Sequence, residues 1–316
     1  MTYNLLKLGI TELNVMQQDM LLATRRHDRI VLLSPTGSGK TLAYLLPVLS
    51  VMDKNKDYLQ TLVLVPSREL AIQTADVIRR LSPECRVMAC YGGRAAMDEH
   101  RTMDGMRPQL IVATPGRMLA HINKGNIPVS NVSTLVIDEF DKSLELGFQD
   151  QMEAIISRLG QARRRILLSA TDNPHIPQFA GGAGFHPMSI PNKEEGLPAG
   201  ITVYEVDSPQ KDKLETLLRL VCVLGTQKSL VFLGFRESVE RVGEYLIAHG
   251  VAAVMFHGGL EQQARKRAIH RFSCGSCNVL VCTDLAARGL DIDGVENVIH
   301  YHLPPDRVTY VHRNGR

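Results

Sequence analysis

Ser34-Pro35-Thr36-Gly37-Ser38-Gly39-Lys40-Thr41 stands between the apolar run Arg29-Ile30-Val31-Leu32-Leu33 and a second one, Leu42-Ala43-Tyr44-Leu45-Leu46. A short apolar run, a glycine-rich turn and a further apolar stretch read as strand, phosphate loop and helix. Gly37 and Gly39 let the backbone N–H groups turn toward one point, and the start of the following helix adds positive potential there. Thr36, Gly37, Ser38 and Gly39 would cradle a nucleotide's polyphosphate, Lys40 would reach its β and γ phosphates, and Thr41 would hold Mg²⁺. Ser34 occupies the place usually taken by the first glycine of this pattern.

Outward from this loop, apolar runs of strand length recur with helix-like segments between them: Arg29–Ser34, Thr61–Pro66, Arg86–Ala89, Leu110–Thr114, Thr134–Ile137 and Arg165–Ser169. Several lack polar alternation, which predicts strands covered on both faces, as in a parallel sheet flanked by helices. Prolines and glycines change the texture from His186 to Gly200, and the pattern then restarts. Strands are expected at Ile201–Val206, Ser229–Leu233, Ala253–Phe256, Val279–Cys282 and Asn297–Tyr301, with helices at Lys211–Leu224, Glu237–His249 and Glu261–Phe272. The reading is an α/β chain of two tandem doubly wound parallel-sheet domains, 1–188 and 201–316, joined by a linker at 189–200.

Ligands in such sheets gather at the carboxyl ends of strands. After Thr134-Leu135-Val136-Ile137 comes Asp138-Glu139-Phe140-Asp141. An acid at that place in a phosphate-loop domain is suited to hold Mg²⁺, so Asp138 joins Thr41 as a metal ligand, and Glu139 could accept a proton from an attacking water.

The chain of 316 residues is 44% apolar and 22% charged, the composition of globular material in more than one domain. Its net charge is only +3, so a polyanion has to be met by local clusters. With 5% aromatics and no tryptophan, a nucleic-acid binder would grip sugar and phosphate in preference to stacking bases. No apolar run approaches the ~18 residues of a membrane span, and Met1 to Ile10 lack a signal-peptide layout. A cytoplasmic monomer with no membrane partner is expected. The six cysteines are scattered. Cys274 and Cys277, with His270 and Cys282 nearby, raise a zinc site, but Cys282 sits in a strand-like run that points it into the core, and reduced thiols are the reading.

The order of motifs resembles the DEAD-box family of RNA helicases across nearly the whole chain. Besides the phosphate loop and the acidic box, the sequence carries Pro66-Ser67-Arg68-Glu69-Leu70-Ala71, Gly92-Gly93, Thr114-Pro115-Gly116-Arg117 and Ser169-Ala170-Thr171. It continues with His257-Gly258, Gln262 and Arg265, then Thr283-Asp284-Leu285-Ala286-Ala287-Arg288-Gly289-Leu290-Asp291, and His312-Arg313-Asn314-Gly315-Arg316.

The resemblance implies two RecA-like domains that bind ATP, Mg²⁺ and RNA, and an ATP hydrolase coupled to unwinding of short RNA duplexes or remodelling of RNA–protein complexes. RNA contacts without sequence readout would come from Arg68, Gly93, Thr114, Gly116 and Arg117 in the first domain. Arg236, Gly258, Gln262, Arg265 and Thr283 would supply them in the second. Gly289 and Asp291 would meet the nucleotide, Asp291 at its ribose across an interdomain cleft, and Arg316 would be an arginine finger on the γ-phosphate. Ser169 and Thr171 would link nucleotide state to domain closure, with His312 and Arg313 facing them.

Three departures from the family pattern stand out. Phe140 replaces alanine in the acidic box. Gly9-Ile10 and Gln17 match the adenine-reading motif, with Gln17 able to pair with the base, but Leu13-Asn14-Val15 replace Pro-Thr-Pro. The sequence ends at Arg316, inside the last motif, so a carboxyl-terminally incomplete second domain is expected. Alternative functions are an ATP-gated RNA clamp or scaffold with little hydrolysis, and a DNA translocase of the same superfamily.

Overall fold

The computed structural model describes residues 5–34, 38–93, 96–160, 162–169, 178–182, 184–189, 201–284, 292, 294–304 and 307–314, and at 96, 262, 307, 308, 311 and 312 the backbone alone. The chain divides into two compact units, Met1–Lys193 and Glu194–Arg316.

The first unit is built on strands β1 (Arg29–Leu33), β2 (Thr61–Leu64), β3 (Val87–Cys90), β4 (Leu110–Ala113), β5 (Thr134–Ile137), β6 (Arg164–Ser169) and β7 (His186–Ser189). They form one parallel sheet in the order β3-β4-β2-β5-β6-β1-β7. Helices α1 (Val15–Arg26), α2 (Lys40–Val51), α3 (Arg68–Leu81), α4 (Ala96–Met106), α5 (Pro115–Asn123), α6 (Phe140–Glu145) and α7 (Gln149–Ile156) flank it. Because side chains alternate along a strand, Val63, Val112, Val136, Ile166 and Leu168 join one apolar cluster with α1, α2 and α3. Leu62, Leu64, Ile111, Leu135, Ile137 and Leu167 join a second, with Met118 of α5 and Met152 of α7. Both faces are covered, which is why these runs show no polar alternation.

The second unit has β8 (Ser229–Leu233), β9 (Ala253–Phe256), β10 (Val279–Thr283) and β11 (Asn297–His300), parallel in the order β11-β8-β10-β9. Its helices are α8 (Leu214–Leu224), α9 (Arg236–Ala248), α10 (Gln262–Ser273) and α11 (Arg307–Asn314). Leu230, Phe232, Leu280 and Cys282 pack on one face and Leu233, Val231, Val279 and Val281 on the other. Cys277 is buried with Cys282, whereas Cys274 is exposed, so the cysteines of the CxxC point to different environments.

Two expectations need correction. Residues 201–208 carry no regular structure, and Ile201, Val203, Tyr204 and Val206 are exposed. Their β-branched pattern supplies strand propensity, but among the described residues no strand lies beside them to complete a ladder. In the other direction, His186–Ser189, where the proline-marked texture begins and no strand was expected, is strand β7, paired with β1 in register from Ile30↔His186 to Leu33↔Ser189. Pro187 is tolerated because β7 is an edge strand. The rest of the expected linker, 190–200, lies outside the described residues. Among the described residues no helix is long and apolar enough to cross a membrane.

Candidate active site

The first sheet turns the carboxyl ends of its strands to one edge, and strand order sorts the sequence motifs along it. β5, β6 and β1 lie side by side and lead into the acidic box, Ser169 and the phosphate loop; β3, β4 and β2 lie side by side and lead into Gly93, Thr114 and Arg68. Motifs interleaved along the chain thus separate into an acid-and-phosphate-loop half and a half bearing arginines and glycines.

In the first half, Gly39 caps α2 at φ +87, the left-handed conformation that favours glycine. Lys40 Nζ donates to the carbonyl of Ser34 at 2.5 Å. Ser34 Oγ donates to Ser38 Oγ at 2.6 Å, so the serine standing in for glycine is used as a tie inside the loop. The Ser34 N–H donates to the Ser169 carbonyl at 3.0 Å, joining the loop to the end of β6. Thr41 follows in the first turn of α2. Thr36, Gly37, Thr171, Gly289, Asp291 and Arg316 lie outside the described residues.

Asp138 is buried at the end of β5, and Oδ1 accepts the Glu139 N–H at 2.9 Å. Burial raises its pKa, and the Lys40 charge is the largest influence in the other direction. Part of Lys40 still meets solvent, yet its ammonium is desolvated enough that its pKa falls, with Asp138, Glu139 and Asp141 pulling it back up. A cation and three acids therefore share one poorly solvated space, a setting found at functional sites. Glu139 adopts φ +48, ψ 51, left-handed for a residue with a side chain, at a cost of roughly 1–2 kcal/mol. Phe140 is buried in the cluster with Met118 and Met152, so the departure from the family pattern is absorbed by the core and leaves the acids in place. The oxygen donors Thr41 and Asp138 suit a hard cation such as Mg²⁺.

Gln17 is tied to the loop rather than standing clear of it. Its Nε2 donates to the Gly39 carbonyl at 3.3 Å and its Oε1 accepts the Asn14 N–H at 3.0 Å. Asn14 caps α1 by accepting the Gln17 N–H at 2.9 Å, and its Nδ2 donates to the Ser38 carbonyl at 3.0 Å. Asn14, within the stretch that departs from Pro-Thr-Pro, thus supplies a second hold on the phosphate loop.

In the second half, the Arg68 guanidinium lies against Gly93: a Cβ there would stand 2.7 Å from Nη1, at φ +94. Thr114 holds the N-cap position of α5 without a side-chain capping bond, Pro115 opens the helix and Gly116 is uncrowded. Arg117 Nε donates to Glu99 Oε2 at 2.6 Å, and His121 Nε2 stands 3.0 Å from the same oxygen. Asn126 Nδ2 lies 2.9 Å from His121 Nδ1; the amide donates there, which leaves the ring proton on Nε2 for Glu99. Cys90, Glu99 and His121 have the mutual spacing of metal ligands. With a guanidinium on the carboxylate and a proton on Nε2, however, hydrogen bonds close the cluster.

In the second unit, Arg236 opens α9 after β8, Gly258 is exposed after β9 and Thr283 ends β10. Arg236 pairs with Glu240 at 2.9 Å, and His257 Nε2 stands 3.6 Å from the same carboxylate. Arg265 is buried with its guanidinium 5.0 Å from the Phe256 ring centre. Gln262 begins α10. Arg313 is also turned inward, as a bidentate partner of Asp284 at 2.5 and 2.7 Å and a donor to the His302 carbonyl at 2.6 Å.

Sequence reasoning missed Asn14, Tyr44, Glu99, His121 and Glu240. Tyr44 is wholly buried on α2, and its pKa is raised by burial and then by the Asp138 charge, which sets a phenol behind the acidic box. The Asn14 cap and Gln17 spacing was the one signal available in sequence, as a capping box.

The DEAD/DEAH box helicase family matches residues 14–178, and the helicase conserved C-terminal domain matches residues 212–316. The chain is 34% identical over 313 residues to the DEAD-box ATP-dependent RNA helicase CshA of Bacillus cereus, covering 98% of itself and 59% of that relative. It is 33% identical over 314 residues to CshA of Geobacillus kaustophilus, covering 67% of that protein. The chain thus spans about three fifths of the first of these relatives. Among solved structures, Saccharomyces cerevisiae Dbp5 bound to RNA and ADP BeF3 is similar at a TM-score of 0.88 and 26% identity, over 99% of this chain and 82% of that one. Mss116p bound to ssRNA and AMP-PNP, 20% identical with a TM-score of 0.83, covered over 68% of its length by 99% of this chain, shares the fold. The phosphate loop, the acidic box and both family matches make the chain a member of the DEAD/DEAH box helicase family.

Proposed function

We propose that the protein is an ATP-dependent RNA helicase, which hydrolyses ATP and uses the cycle to separate short RNA duplexes or strip RNA–protein contacts. The observation that carries this is the sorting of one sheet edge into a half with Lys40, Asp138 and Glu139 and a half with Arg68, Gly93 and Thr114–Arg117. The names of the CshA relatives and the RNA and ADP BeF3 bound to the Dbp5 neighbour support the same reading.

Lys40 and the loop amides bind the triphosphate, and Glu139, half-buried at its strained position, takes the proton of the attacking water. Mg²⁺ held by Thr41 and Asp138 would neutralise charge on the phosphates. Guanidinium groups, a threonine hydroxyl and loop N–H groups hold sugar and phosphate, which positions a strand and reads no sequence. We also infer a monomer, and, on the strength of six free cysteines, action in the cytoplasm.

The test is ATP hydrolysis measured with no nucleic acid, with RNA and with DNA of equal length. Stimulation by RNA above DNA is expected, the 2′-OH being the discriminating group. Lys40→Ala should lose nucleotide binding, and Glu139→Gln should keep binding and lose turnover. Hydrolysis indifferent to RNA would sink the proposal, and RNA binding that tightens with a non-hydrolysable nucleotide but never leads to turnover would point to a clamp.

A further inference from the structure

The loops after β8, β9 and β10 have so far been assigned to phosphate and ribose, and one side chain among them is of the wrong kind for that task. Phe235, between β8 and α9, is 68% exposed, although phenylalanine is among the residues most often buried. Its position is built. The His302 ring stands edge-on to it, with centroids 6.4 Å apart and planes at 67°, an arrangement favoured by the ring quadrupoles. His302 is itself held by the Gly234 N–H, which donates to Nδ1 at 3.1 Å and so fixes the ring proton on Nε2. Tyr301 meets His302 edge-on at 5.2 Å. Burial, followed by the charges of Lys213 and Arg313, lowers the His302 pKa.

The chain neighbours of Phe235 are Gly234, with no side chain, and Arg236, an exposed cation with one ion-pair partner, Glu240 one turn along α9. Bare backbone and a cation beside an open aromatic face suit a phosphodiester strand better than an apolar protein partner, because the backbone goes to the cation and a base is left to lie on the ring.

We propose that Phe235, backed by His302, is a nucleobase-stacking ledge in the second unit, taking one unpaired base of the strand held by Arg236 and its neighbours. This rests on the reading of the protein as an RNA binder and adds to it a contact with bases, which composition alone argued against.

The chain contains no tryptophan, so Phe235→Trp in the full chain introduces a single reporter. With a non-hydrolysable ATP analogue present, its emission should be quenched by single-stranded oligouridine and left unchanged by an abasic ribose-phosphate oligomer of the same length. Phe235→Ala and Phe235→Leu should each weaken oligouridine binding by roughly five- to a hundred-fold, while Phe235→Trp restores it. The slope of affinity against salt should stay as in wild type, since no phosphate contact is lost, whereas Arg236→Ala should reduce it. Melting temperature serves as a check that each variant is folded. Wild-type binding to oligouridine, with unquenched indole emission in Phe235→Trp and unchanged affinity in Phe235→Ala, overturns the ledge and leaves Phe235 to a protein partner. Absence of RNA binding in wild type overturns the helicase reading and the ledge with it.

Discussion

Arg117 and Glu99, eighteen residues apart in sequence, meet at 2.6 Å in the interior of the first unit. The carboxylate is buried and its Oε2 also faces His121, so it holds α4 to α5 and fixes the guanidinium that ends the Thr114–Arg117 motif at the start of α5. Glu99→Ala removes the buried carboxylate that Arg117 and His121 both face, and breaking a buried pair in this way costs about 3–5 kcal/mol. Glu99→Gln keeps an acceptor and should cost less. Urea unfolding gives the stabilities and RNA titration the effect on the grip. An unchanged unfolding midpoint in Glu99→Ala would falsify the structural role.

Gly93 is required twice over, by its φ of +94 and by the Arg68 guanidinium 2.7 Å from where a Cβ would stand. Gly93→Ala should cost roughly 1–2 kcal/mol in backbone strain and push Arg68 aside. RNA affinity should fall as it does in Arg68→Ala, and the double variant should be little worse than either single one, because both disturb the same contact. ATP affinity without RNA should be untouched, since Gly93 follows β3 at the far side of the sheet from β1. Additive losses would separate the two residues.

How far the sequence carried depends on distance along the chain. The central strands were legible because Thr61–Leu64, Leu110–Ala113 and Thr134–Ile137 are covered on both faces and read as unbroken apolar runs. β7 was not, because His186-Pro187-Met188-Ser189 is neither apolar nor free of proline and forms only as an edge on β1. Ile201–Val206 erred the other way: local propensity without a neighbouring strand does not make one. At the site, the phosphate loop and the acidic box are contiguous and could be read directly. Glu99 and Tyr44 could not, since each acts on a group far off in sequence, Arg117 in one case and Asp138 in the other. Nor could the ring contact of Arg265 with Phe256 or the ion pair of Arg313 with Asp284 be read from the motifs that carry those arginines.

Gln17 holds the loop through one atom and its own helix through another, which allows the two roles to be separated. Gln17→Glu retains the Oε1 acceptor for the Asn14 N–H and loses the Nε2 donor to Gly39. The new carboxylate oxygen would face the Gly39 carbonyl at a buried position, so its melting temperature should fall below that of wild type, and Asn14→Ala, which removes the cap, should cost about 1 kcal/mol. If Gln17 acts by shaping the phosphate loop, Gln17→Glu weakens ATP and inorganic tripolyphosphate alike. A loss confined to ATP would assign Gln17 to the base alone. Calorimetric titration of the two ligands decides it.

Asp138 gives the site a pH dependence whose sign follows from its burial. Its pKa is raised, so the nucleotide-free fold binds that proton more tightly than the unfolded chain does. The stability this contributes is complete below the ordinary carboxyl value of about 3.9 and is lost as pH rises through the raised value. Asp138→Asn imitates the protonated acid, and Lys40 keeps Glu139 and Asp141 as counter-charges. Without nucleotide, the variant should therefore melt above wild type at about pH 8, and the two should converge toward about pH 4. Metal binding runs the other way, because a ligating carboxylate must be ionised. Wild-type affinity for Mg²⁺ with ATP should fall as pH is lowered toward the raised pKa, whereas Asp138→Asn should bind the ion weakly throughout. A variant that melts below wild type at the upper pH would mean that the ionised carboxylate is stabilising in place, with Lys40 outweighing the loss of solvent.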